Sequence, residues 1–355
     1  MRINRKRSIW VAAVGLVASV VAACGSSSAP APSPGSSDMP NVTLKWSCAC
    51  LSAPPQSPQT QALYRTASEV FQLTGGHVNI EVFPNSSLLP QATEFQGLQK
   101  GVADITDSDP TQYQATMPAG MIYDIPYLYT DWSQVEKVFA SSYETKLNSM
   151  AVSQLGVRLL GIQDLGPREL NLNSTKKIMT PADMAGIKLR MPPGDYWTQL
   201  GQAMGGQVTP VGFTEIYLSL ETGVVQAQDN PLPTDVADKF YQVTKEVVLT
   251  NHLFSPVMPA INEASWNKLS PAEQRDLVKA VTDQDNWADA QVAAQQNQDI
   301  TFLKKQGLQV YSPDVKAFQA PVLKSFLCDQ SYVSGLISGM LPFALKVAGA
   351  TMPAC

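Results

Sequence analysis

One long helix near the C-terminus constrains the fold of this chain more than any other feature. The segment LSPAEQRDLVKAVTDQDNWADAQVAAQQNQDITFLKKQG opens with a capping box at Ser270 and Glu273, and Pro271 takes the first helical position. No further Gly or Pro follows until Gly307. Apolar side chains recur on one face at Leu277, Val281, Ala288 and Val292. About 35 helical residues span roughly 50 Å, which exceeds the width of a lobe of about 150 residues. The sequence therefore predicts a helix that crosses two lobes, as a strut or as the bending element between them.

Two stretches with the same pattern also favour two α/β lobes. ATEFQGLQKGVADITDSDP and GFTEIYLSLETGVVQAQDNP each run from a helix through a glycine into a short strand. Each strand leads to an acidic or amide residue followed by proline, Asp109 in the first stretch and Asn230 in the second. We place the second strand at residues 224–228. Because ligands of open α/β sheets bind at the carboxyl ends of strands, residues 229–231 are a candidate site.

The N-terminus is typical of an exported lipoprotein. Residues 1–7 carry four basic side chains, and residues 9–23 form an apolar run that is short for a transmembrane helix. The run ends in VAAC, which resembles the lipobox in which the cysteine, here Cys24, is lipid-modified and becomes the new N-terminus. We expect a signal peptide over residues 1–23, then the lipidated cysteine and a flexible Ser/Pro/Gly linker over residues 24–41. A plain signal peptide cleaved nearby and an uncleaved anchor are the alternatives.

The mature chain is expected to be acidic. Removal of the signal peptide takes away four of the 25 basic side chains and none of the 30 acidic ones, which leaves a net charge of −9 with His neutral. Such a charge argues against nucleic acids and anionic membranes as partners. Any cation that holds a ligand must therefore be local.

Four further cysteines suggest disulfides if the body lies outside the cytoplasm. Cys48, Cys50, Cys328 and Cys355 allow three pairings, and the sequence does not choose among them. Cys48 and Cys50 are awkward partners because one intervening residue strains disulfide geometry. We favour a bond from Cys328 to Cys355, which would staple the C-terminal segment. The spacing matches no zinc pattern, so we expect no metal site.

The strand IKLRM presents an arginine where a ligand could meet it. Alternation over residues 187–191 puts the apolar side chains on one face and Lys188 and Arg190 on the other. Pro192 and Pro193 then halt the strand, so Arg190 stands at its carboxyl end.

The order of several motifs closely resembles one family, the extracytoplasmic solute-binding proteins of TRAP transporters, which is the four-carbon dicarboxylate-binding family. The motifs are GPREL, TPADMAGIKLRMP, GFTEIYLSLETGVVQAQDNP and KFYQVTKEVVLTNH, together with GGHVNIEVFPNSSLLPQ and DIPYLY. The resemblance covers nearly all of residues 42–312. It implies a two-lobed periplasmic-binding-protein-like α/β fold that closes over an organic acid, with a long helix spanning both lobes.

The resemblance also implies four ligand-binding residues. The family's carboxylate-binding arginine in G-x-K-x-R falls on Arg190, and a second arginine falls on Arg168. The family's asparagine falls on Asn230, and an aromatic residue that flanks the ligand falls on Phe213. An arginine fork can bind a carboxylate through two parallel charge-assisted hydrogen bonds, and an asparagine can donate to the acid or accept from a ligand hydroxyl.

Each of these residues has a structural alternative. Arg190 could be a surface arginine, Asn230 an ordinary turn residue and Phe213 a core side chain. Arg168 could simply pair with Asp164 or Glu169. The family usually reads D-G-Q-E-N-P where this chain reads QAQDNP, a departure that leaves the identity of the ligand open.

These observations predict a monomeric, lipid-anchored, extracytoplasmic protein that captures a small organic acid and delivers it to the membrane subunits of a TRAP permease. It is expected to need no cofactor. We assign the first lobe to residues 42–165 plus about 257–290, and the second to residues 166–256 plus about 291–355.

Three other functions remain as alternatives. The chain could serve an ATP-driven importer or a ligand sensor, since only the membrane partner would differ. It could be a structural or adhesive surface lipoprotein. A secreted enzyme is disfavoured because the sequence has no G-x-S-x-G, no phosphate-binding glycine loop and only two histidines.

Overall fold

A computed structural model describes residues 41–53 and 56–355. The predicted signal peptide, the lipidated Cys24 and the linker up to residue 40 lie outside the described residues. The strands of the described part are β1 (Val42–Ser47), β2 (Val78–Phe83), β3 (Ile105–Ser108), β4 (Val157–Leu159), β5 (Gln163–Leu172), β6 (Lys188–Met191), β7 (Gln207–Pro210), β8 (Ala227–Pro231), β9 (Glu246–Val248), β10 (Phe254–Asn262) and β11 (Gln309–Tyr311). Its α-helices are α1 (Pro58–Leu73), α2 (Glu94–Gln99), α3 (Trp132–Phe139), α4 (Ser142–Met150), α5 (Asp195–Ala203), α6 (Ile216–Glu221), α7 (Leu232–Ala237), α8 (Glu263–Trp266), α9 (Pro271–Lys305), α10 (Val315–Leu327), α11 (Gln330–Val333) and α12 (Met340–Ala348).

The sheet consists of two parallel sets of strands joined by two long antiparallel ones. In the first set β1 pairs with β2 and β3, and in the second β6 pairs with β7 and β8. Between them lie β10 and β5, which are antiparallel to each other and to β3 and β8 respectively. The strand order is therefore β2-β1-β3-β10-β5-β8-β6-β7, with β4 beside β10 and β9 beside β5. This α/β arrangement with two parallel centres confirms the fold class that the sequence predicts.

Helix α9 confirms the prediction of one long helix near the C-terminus. It has 35 residues, and Ser270 and Glu273 form the capping box at its start. Its first part packs against α1 beside β1 and β2, and it also contacts β5, α7 and β11. The helix is long enough to cross a membrane but carries many charged residues. Within the described ranges, no helix combines the length and the apolar character that a membrane span requires.

The strand that carries Asn230 differs in extent from the sequence prediction. The strand expected at residues 224–228 runs from Ala227 to Pro231, because the register with β5 pairs Ala227 with Leu172 and Pro231 with Arg168. Asn230 therefore lies inside the strand and not after its end.

The repeated pattern of the sequence corresponds to a repeated structure. Helix α2, Gly101 and β3 follow one another as α6, Gly223 and β8 do. Both glycines lie in the left-handed region, with φ of 71° and 74°, where a glycine costs little.

The structure joins Cys328 to Cys355, the pairing that the sequence analysis favours, with Cα atoms 5.5 Å apart. It also joins Cys48 to Cys50, the pairing that the short spacing disfavours. The chain bends at Cys50, which brings the two Cα atoms to 5.2 Å, within the usual range for a disulfide.

The assignment of residues to lobes stays a prediction. Near the C-terminus, α10 packs against α5 of the second half of the chain, whereas α12 packs against α3 of the first half.

Candidate ligand-binding site

A cavity of about 90 Å³ lies where the carboxyl ends of β1, β3, β6 and β8 meet. Its first wall comes from the chain before residue 113 and consists of Cys48, Ala49, Cys50, Gln59, Gln91, Glu94, Asp107, Asp109 and Gln112. Its second wall comes from the chain after residue 164 and consists of Leu165, Arg168, Arg190, Pro192, Trp197, Phe213, Asn230, Thr234 and Val257. An adjoining cavity of about 220 Å³ shares Gln91, Asp109, Gln112, Pro192 and Trp197 with the first. All four predicted ligand-binding residues therefore line the same cavity.

Arg190 is completely buried on β6 with most of its hydrogen-bonding capacity unused. Its Nε donates to the carbonyl oxygen of Val211 at 2.9 Å. Its Nη1 and Nη2 are buried and have no hydrogen-bond partner among the described residues. Burial lowers the pKa of Arg190 to about 9, and the charge of Asp229 opposes that shift. Since the residue is 0% exposed, the alternative of a surface arginine is wrong.

Arg168, on the neighbouring strand β5, is held by the protein itself. Its Nε donates to Asp229 Oδ2 at 2.7 Å, and its Nη2 donates to the Asp229 carbonyl at 2.7 Å and to Asn230 Oδ1 at 3.2 Å. The guanidinium also stacks 4.7 Å from the ring centroid of Trp197. Burial opposes its charge, but the carboxylate of Asp229 outweighs burial and raises the pKa of Arg168.

Neither acid that the sequence suggests as a partner of Arg168 pairs with it in the contacts that the structure shows. Asp164 Oδ1 accepts from the backbone of Gly166, and Glu169 Oε2 accepts from the backbone of Asn251. The partner is Asp229 instead, because the antiparallel register of β5 and β8 brings it alongside.

Asp229 sits between Arg168 and a buried histidine. His252 Nε2 lies 3.2 Å from Asp229 Oδ2, and His252 Nδ1 lies 2.8 Å from Thr250 Oγ1. Burial disfavours the charge on Asp229, but Arg168 and His252 together keep its pKa well below the usual range. The positive charge of Arg168 is therefore balanced within the protein, whereas no acidic side chain makes an ion pair with Arg190 among the described residues.

Asn230 and Phe213 take part in the cavity wall in different ways. Asn230 accepts from Arg168 and donates to Gln228 Oε1 at 2.5 Å, so it mainly positions the arginine. The ring of Phe213 packs edge-on against Phe240, with centroids 6.3 Å apart. The backbone N–H of Phe213 donates to Gln91 Oε1 at 2.9 Å and so ties the two walls together.

Sequence reasoning missed the polar first wall. Asp109 could have been found there, because it stands in the first repeat where Asn230 stands in the second, and both line the cavity. Trp197 bridges the walls as well, since its Nε1 donates to Thr111 Oγ1 at 3.1 Å.

Comparison with known proteins supports the family resemblance that the sequence motifs indicate. The family described as bacterial extracellular solute-binding protein, family 7, matches residues 51–326, well over half of the chain. The sialic acid-binding periplasmic protein SiaP of Vibrio cholerae is 28% identical over 263 residues, which cover 73% of this chain and 81% of that protein.

Solved structures agree as well. A TRAP periplasmic solute-binding protein of Roseobacter denitrificans with bound 3-deoxy-D-manno-oct-2-ulosonic acid is 31% identical, with a TM-score of 0.81 over 86% of this chain and 99% of that one. A second protein of the same kind and organism, with bound L-galactonate, is 26% identical, with a TM-score of 0.78 over 87% of this chain and 99% of that one.

Proposed function

This chain belongs to family 7 of the bacterial extracellular solute-binding proteins, and on that premise we propose that Arg190 is the residue that binds the carboxylate of its ligand. The unpaired Nη1 and Nη2 atoms of Arg190 carry the proposal. A buried guanidinium with two unused donors is costly, and a carboxylate satisfies both donors in one bidentate contact. The protein is thus an extracytoplasmic solute-binding protein of the TRAP type that captures a small organic acid.

Arg168 has a supporting role in the proposal. Its charge is already balanced by Asp229, so it contributes less net attraction for an anion than Arg190 does. Its side chain, held by Asp229, Asn230 and Trp197, keeps the floor of the cavity rigid. A preorganised floor lowers the entropy lost when the ligand binds.

Capture is proposed to involve closure of the two walls over the acid. The bonds from Phe213 to Gln91 and from Trp197 to Thr111 cross the cavity and would stabilise a closed form. Closure expels water and strengthens the contact between Arg190 and the carboxylate. The closed protein would then deliver its ligand, without turnover, to the membrane subunits of a TRAP permease.

A screen by thermal shift tests the role of Arg190. The purified full chain is tested against monocarboxylates, dicarboxylates, aromatic acids, keto acids and sugar acids. An acid at one hundred times its dissociation constant should raise the free energy of unfolding by about 2.7 kcal/mol. Arg190→Ala should weaken binding of that acid by at least about a hundredfold, and Arg190→Lys should recover only part of it because lysine lacks the planar fork.

Arg275→Ala is the matched control, because Arg275 is exposed on α9 and does not line the cavity. It should bind as the unchanged protein does. A ligand that binds Arg190→Ala with full affinity would move the carboxylate contact elsewhere. No binding by any acid of the panel would overturn the carboxylate proposal itself.

The tether is a separate part of the proposal. We infer from VAAC that the monomeric body is anchored to the membrane by lipid on Cys24. Cys24→Ser should release the protein from membrane fractions and abolish incorporation of labelled fatty acid. A variant that stays in the membrane would show that an uncleaved N-terminal segment holds it.

A further inference from the structure

A disulfide lies in the first wall of the cavity. Cys48 and Cys50 are joined to each other, and both line the cavity, as Arg190 of the second wall does. Cys50 is the more accessible of the two, with 6% of its surface exposed against 1% for Cys48. A small molecule that enters the cavity therefore meets a sulfur atom in one wall and the unpaired donors of Arg190 in the other.

The Cys48–Cys50 bond contributes less to the stability of the fold than the second disulfide does. The entropy that a disulfide removes from the unfolded chain grows with the length of the loop that it closes. The sequence separation is 2 for Cys48–Cys50 and 27 for Cys328–Cys355. Stabilisation of the fold therefore explains the second bond better than the first, and the position of the first bond in the cavity calls for another explanation.

Backbone hydrogen bonds hold the turn that carries the Cys48–Cys50 bond. The N–H of Cys48 donates to the carbonyl of Phe83 at 3.0 Å. The carbonyl of Cys48 accepts from the N–H of Ser86 at 3.1 Å. The carbonyl of Cys50 accepts from the N–H of Asn85 at 2.8 Å. Since no sulfur atom takes part in these bonds, the turn can keep its place when the disulfide opens.

The surroundings of Cys48 suit it as the sulfur that leaves when the bond opens. The backbone N–H of Cys50 donates to Cys48 Sγ at 3.0 Å, which stabilises negative charge on that sulfur. Asp107 Oδ2 lies 3.7 Å from Cys48 Sγ, close enough to accept from a thiol there. Burial raises the pKa of Asp107 to about 6, so at pH 7 its carboxyl group is mainly an ionised acceptor. The opened site therefore has a partner for the Cys48 thiol.

We propose, building on the assignment of Arg190 as the carboxylate anchor, that Cys48–Cys50 is a thiol–disulfide exchange site for small thiols that carry a carboxylate. Arg190 binds the carboxylate of such a thiol. The sulfur of the thiol then attacks Cys50 Sγ in the opposite wall.

The exchange step needs no further oxidant or reductant. The entering thiol loses its proton, and its sulfur forms a bond to Cys50 Sγ while the bond from Cys50 to Cys48 breaks. The electron pair of the broken bond goes to Cys48 Sγ, which takes up one proton in place of the one released. The entering sulfur is thus oxidised and the Cys48 sulfur is reduced. The product is a mixed disulfide at Cys50 beside a Cys48 thiol, and attack by that thiol reverses the step.

Exchange with matched pairs of thiols tests the inference. Each pair consists of an ω-mercaptocarboxylate with two to six carbons and its amide, which has the same chain length and no charge. The purified full chain is treated with each thiol in the absence of other reductants, and free thiols are trapped with N-ethylmaleimide. Peptide mass spectrometry then locates the adducts on the cysteines. Cys328–Cys355, which is not among the described residues that line the cavity, is the reference disulfide, because it reports the intrinsic reactivity of each reagent.

The carboxylate should direct the thiol to the cavity. With rates taken relative to the reference disulfide, the best mercaptocarboxylate should react with Cys48–Cys50 at least about tenfold faster than its amide, because a charge-assisted contact with Arg190 holds it there. The mixed disulfide should lie on Cys50 and the maleimide on Cys48.

Two arginine variants test what directs the thiol. In Arg190→Ala the preference for the carboxylate should fall to about twofold or less, because the anchor is absent. Arg275→Ala, the exposed control on α9, should keep the preference of the unchanged protein.

The outcomes separate this inference from the carboxylate proposal. Free Cys48 and Cys50 thiols before treatment, or exchange confined to the reference disulfide, would overturn the inference and leave the anchor in place. Equal reaction of carboxylate and amide at Cys48–Cys50, while the acids of the thermal-shift screen still need Arg190, would overturn it as well. A preference for the carboxylate that persists in Arg190→Ala would keep the exchange site and overturn the anchor.

Discussion

Arg168 and Arg190 lie on strands of the same sheet, line the same cavity and are buried to nearly the same degree, yet the protein treats them differently. Arg168 is bound by Asp229, Asn230 and the ring of Trp197. Arg190 has one bond, from its Nε to a backbone carbonyl, and two donors without a partner in the described chain. Burial alone therefore does not identify the ligand-binding arginine, but the hydrogen-bond inventory does.

The difference indicates that Arg168 contributes mainly to the stability of the fold, whereas Arg190 contributes mainly to ligand binding. A paired buried charge stabilises the fold, and loss of one partner leaves the other buried without a counter-charge. An unpaired buried charge weakens the fold until a ligand arrives, and the ligand then recovers that free energy as binding. We expect the two arginines to respond oppositely to the same substitution.

The largest expected effect comes from Arg168→Met. It leaves Asp229 buried without its main counter-charge, so the free energy of unfolding should fall by about 3–5 kcal/mol in urea titrations. The Asp229 pKa is depressed in the folded state, so the stabilisation is present above about pH 4 and declines below it. The gap between variant and unchanged protein should therefore narrow as the pH falls below about 4.

The control for this prediction is Arg158→Met. Arg158 pairs with Glu263 at 2.7 Å, but both side chains are partly exposed to solvent. Its replacement should cost about 1 kcal/mol or less. Equal losses in the two variants would mean that burial does not set the strength of the Arg168 pair.

Arg190→Met should act in the opposite direction. Without ligand, removal of a buried guanidinium with two unpaired donors should raise the free energy of unfolding by about 1–3 kcal/mol. Because the folded-state pKa of about 9 lies below that of a free arginine, the penalty is fully present at neutral pH and shrinks only above about pH 9. The increase in the free energy of unfolding caused by Arg190→Met should thus be constant from pH 6 to 8. A loss of stability would show that Arg190 is structural, and would end the contrast with Arg168.

The contrast also shows which parts of the molecule can be predicted from sequence. The long helix was predictable because Ser270, Pro271 and Glu273 form a local start signal, and because no other Gly or Pro interrupts the chain before Gly307. Arg190 was predictable because the alternation of a short strand and the two prolines after it fix its position.

The partner of Arg168 was not predictable by the same reasoning. The acids near it in sequence are Asp164 and Glu169, but the actual partner, Asp229, lies 61 residues away. Only the register between β5 and β8 brings the two together, and that register depends on the whole sheet. The first wall was missed for a similar reason, since Glu94 at the start of a helix looks like an ordinary first-turn acid.

A variant of Asp285 tests whether an unpaired buried charge also lowers the free energy of unfolding at a position outside the cavity. Asp285 lies on α9, is 6% exposed and does not line the cavity, and its Oδ2 has no partner in the described chain, whereas its Oδ1 accepts from Gln163. Burial, with the charges of Asp289 and Asp107, raises its pKa well above the usual range. The folded state therefore holds its proton more tightly than the unfolded state, and the cost of ionisation grows as the pH rises above about 4. Asp285→Asn should add about 1–2 kcal/mol of stability at pH 8 and much less at pH 4.

Asp283→Asn is the control on the same helix. Asp283 is exposed and pairs with Lys279, which lowers its pKa, so its pH dependence should have the opposite sign. If Asp285→Asn is destabilising at pH 8, the link between unpaired groups and lost stability fails outside the cavity.

The smallest expected effect concerns Gln91. This residue of the first wall contacts the second wall and is not proposed to contact the carboxylate of the ligand. Its Oε1 accepts from the backbone of Phe213 across the cavity, so Gln91→Ala should weaken the closed form by about 1 kcal/mol and raise the dissociation constant about fivefold. The change should appear in the dissociation rate, measured by stopped-flow fluorescence, with little change in association. Loss of the Arg190 contact, in contrast, removes the anchor itself.

Gln72→Ala, on the exposed face of α1, should change neither rate. If Gln91→Ala instead slows association and leaves dissociation unchanged, Gln91 would guide the entering acid, and the bond to Phe213 would not hold the walls closed.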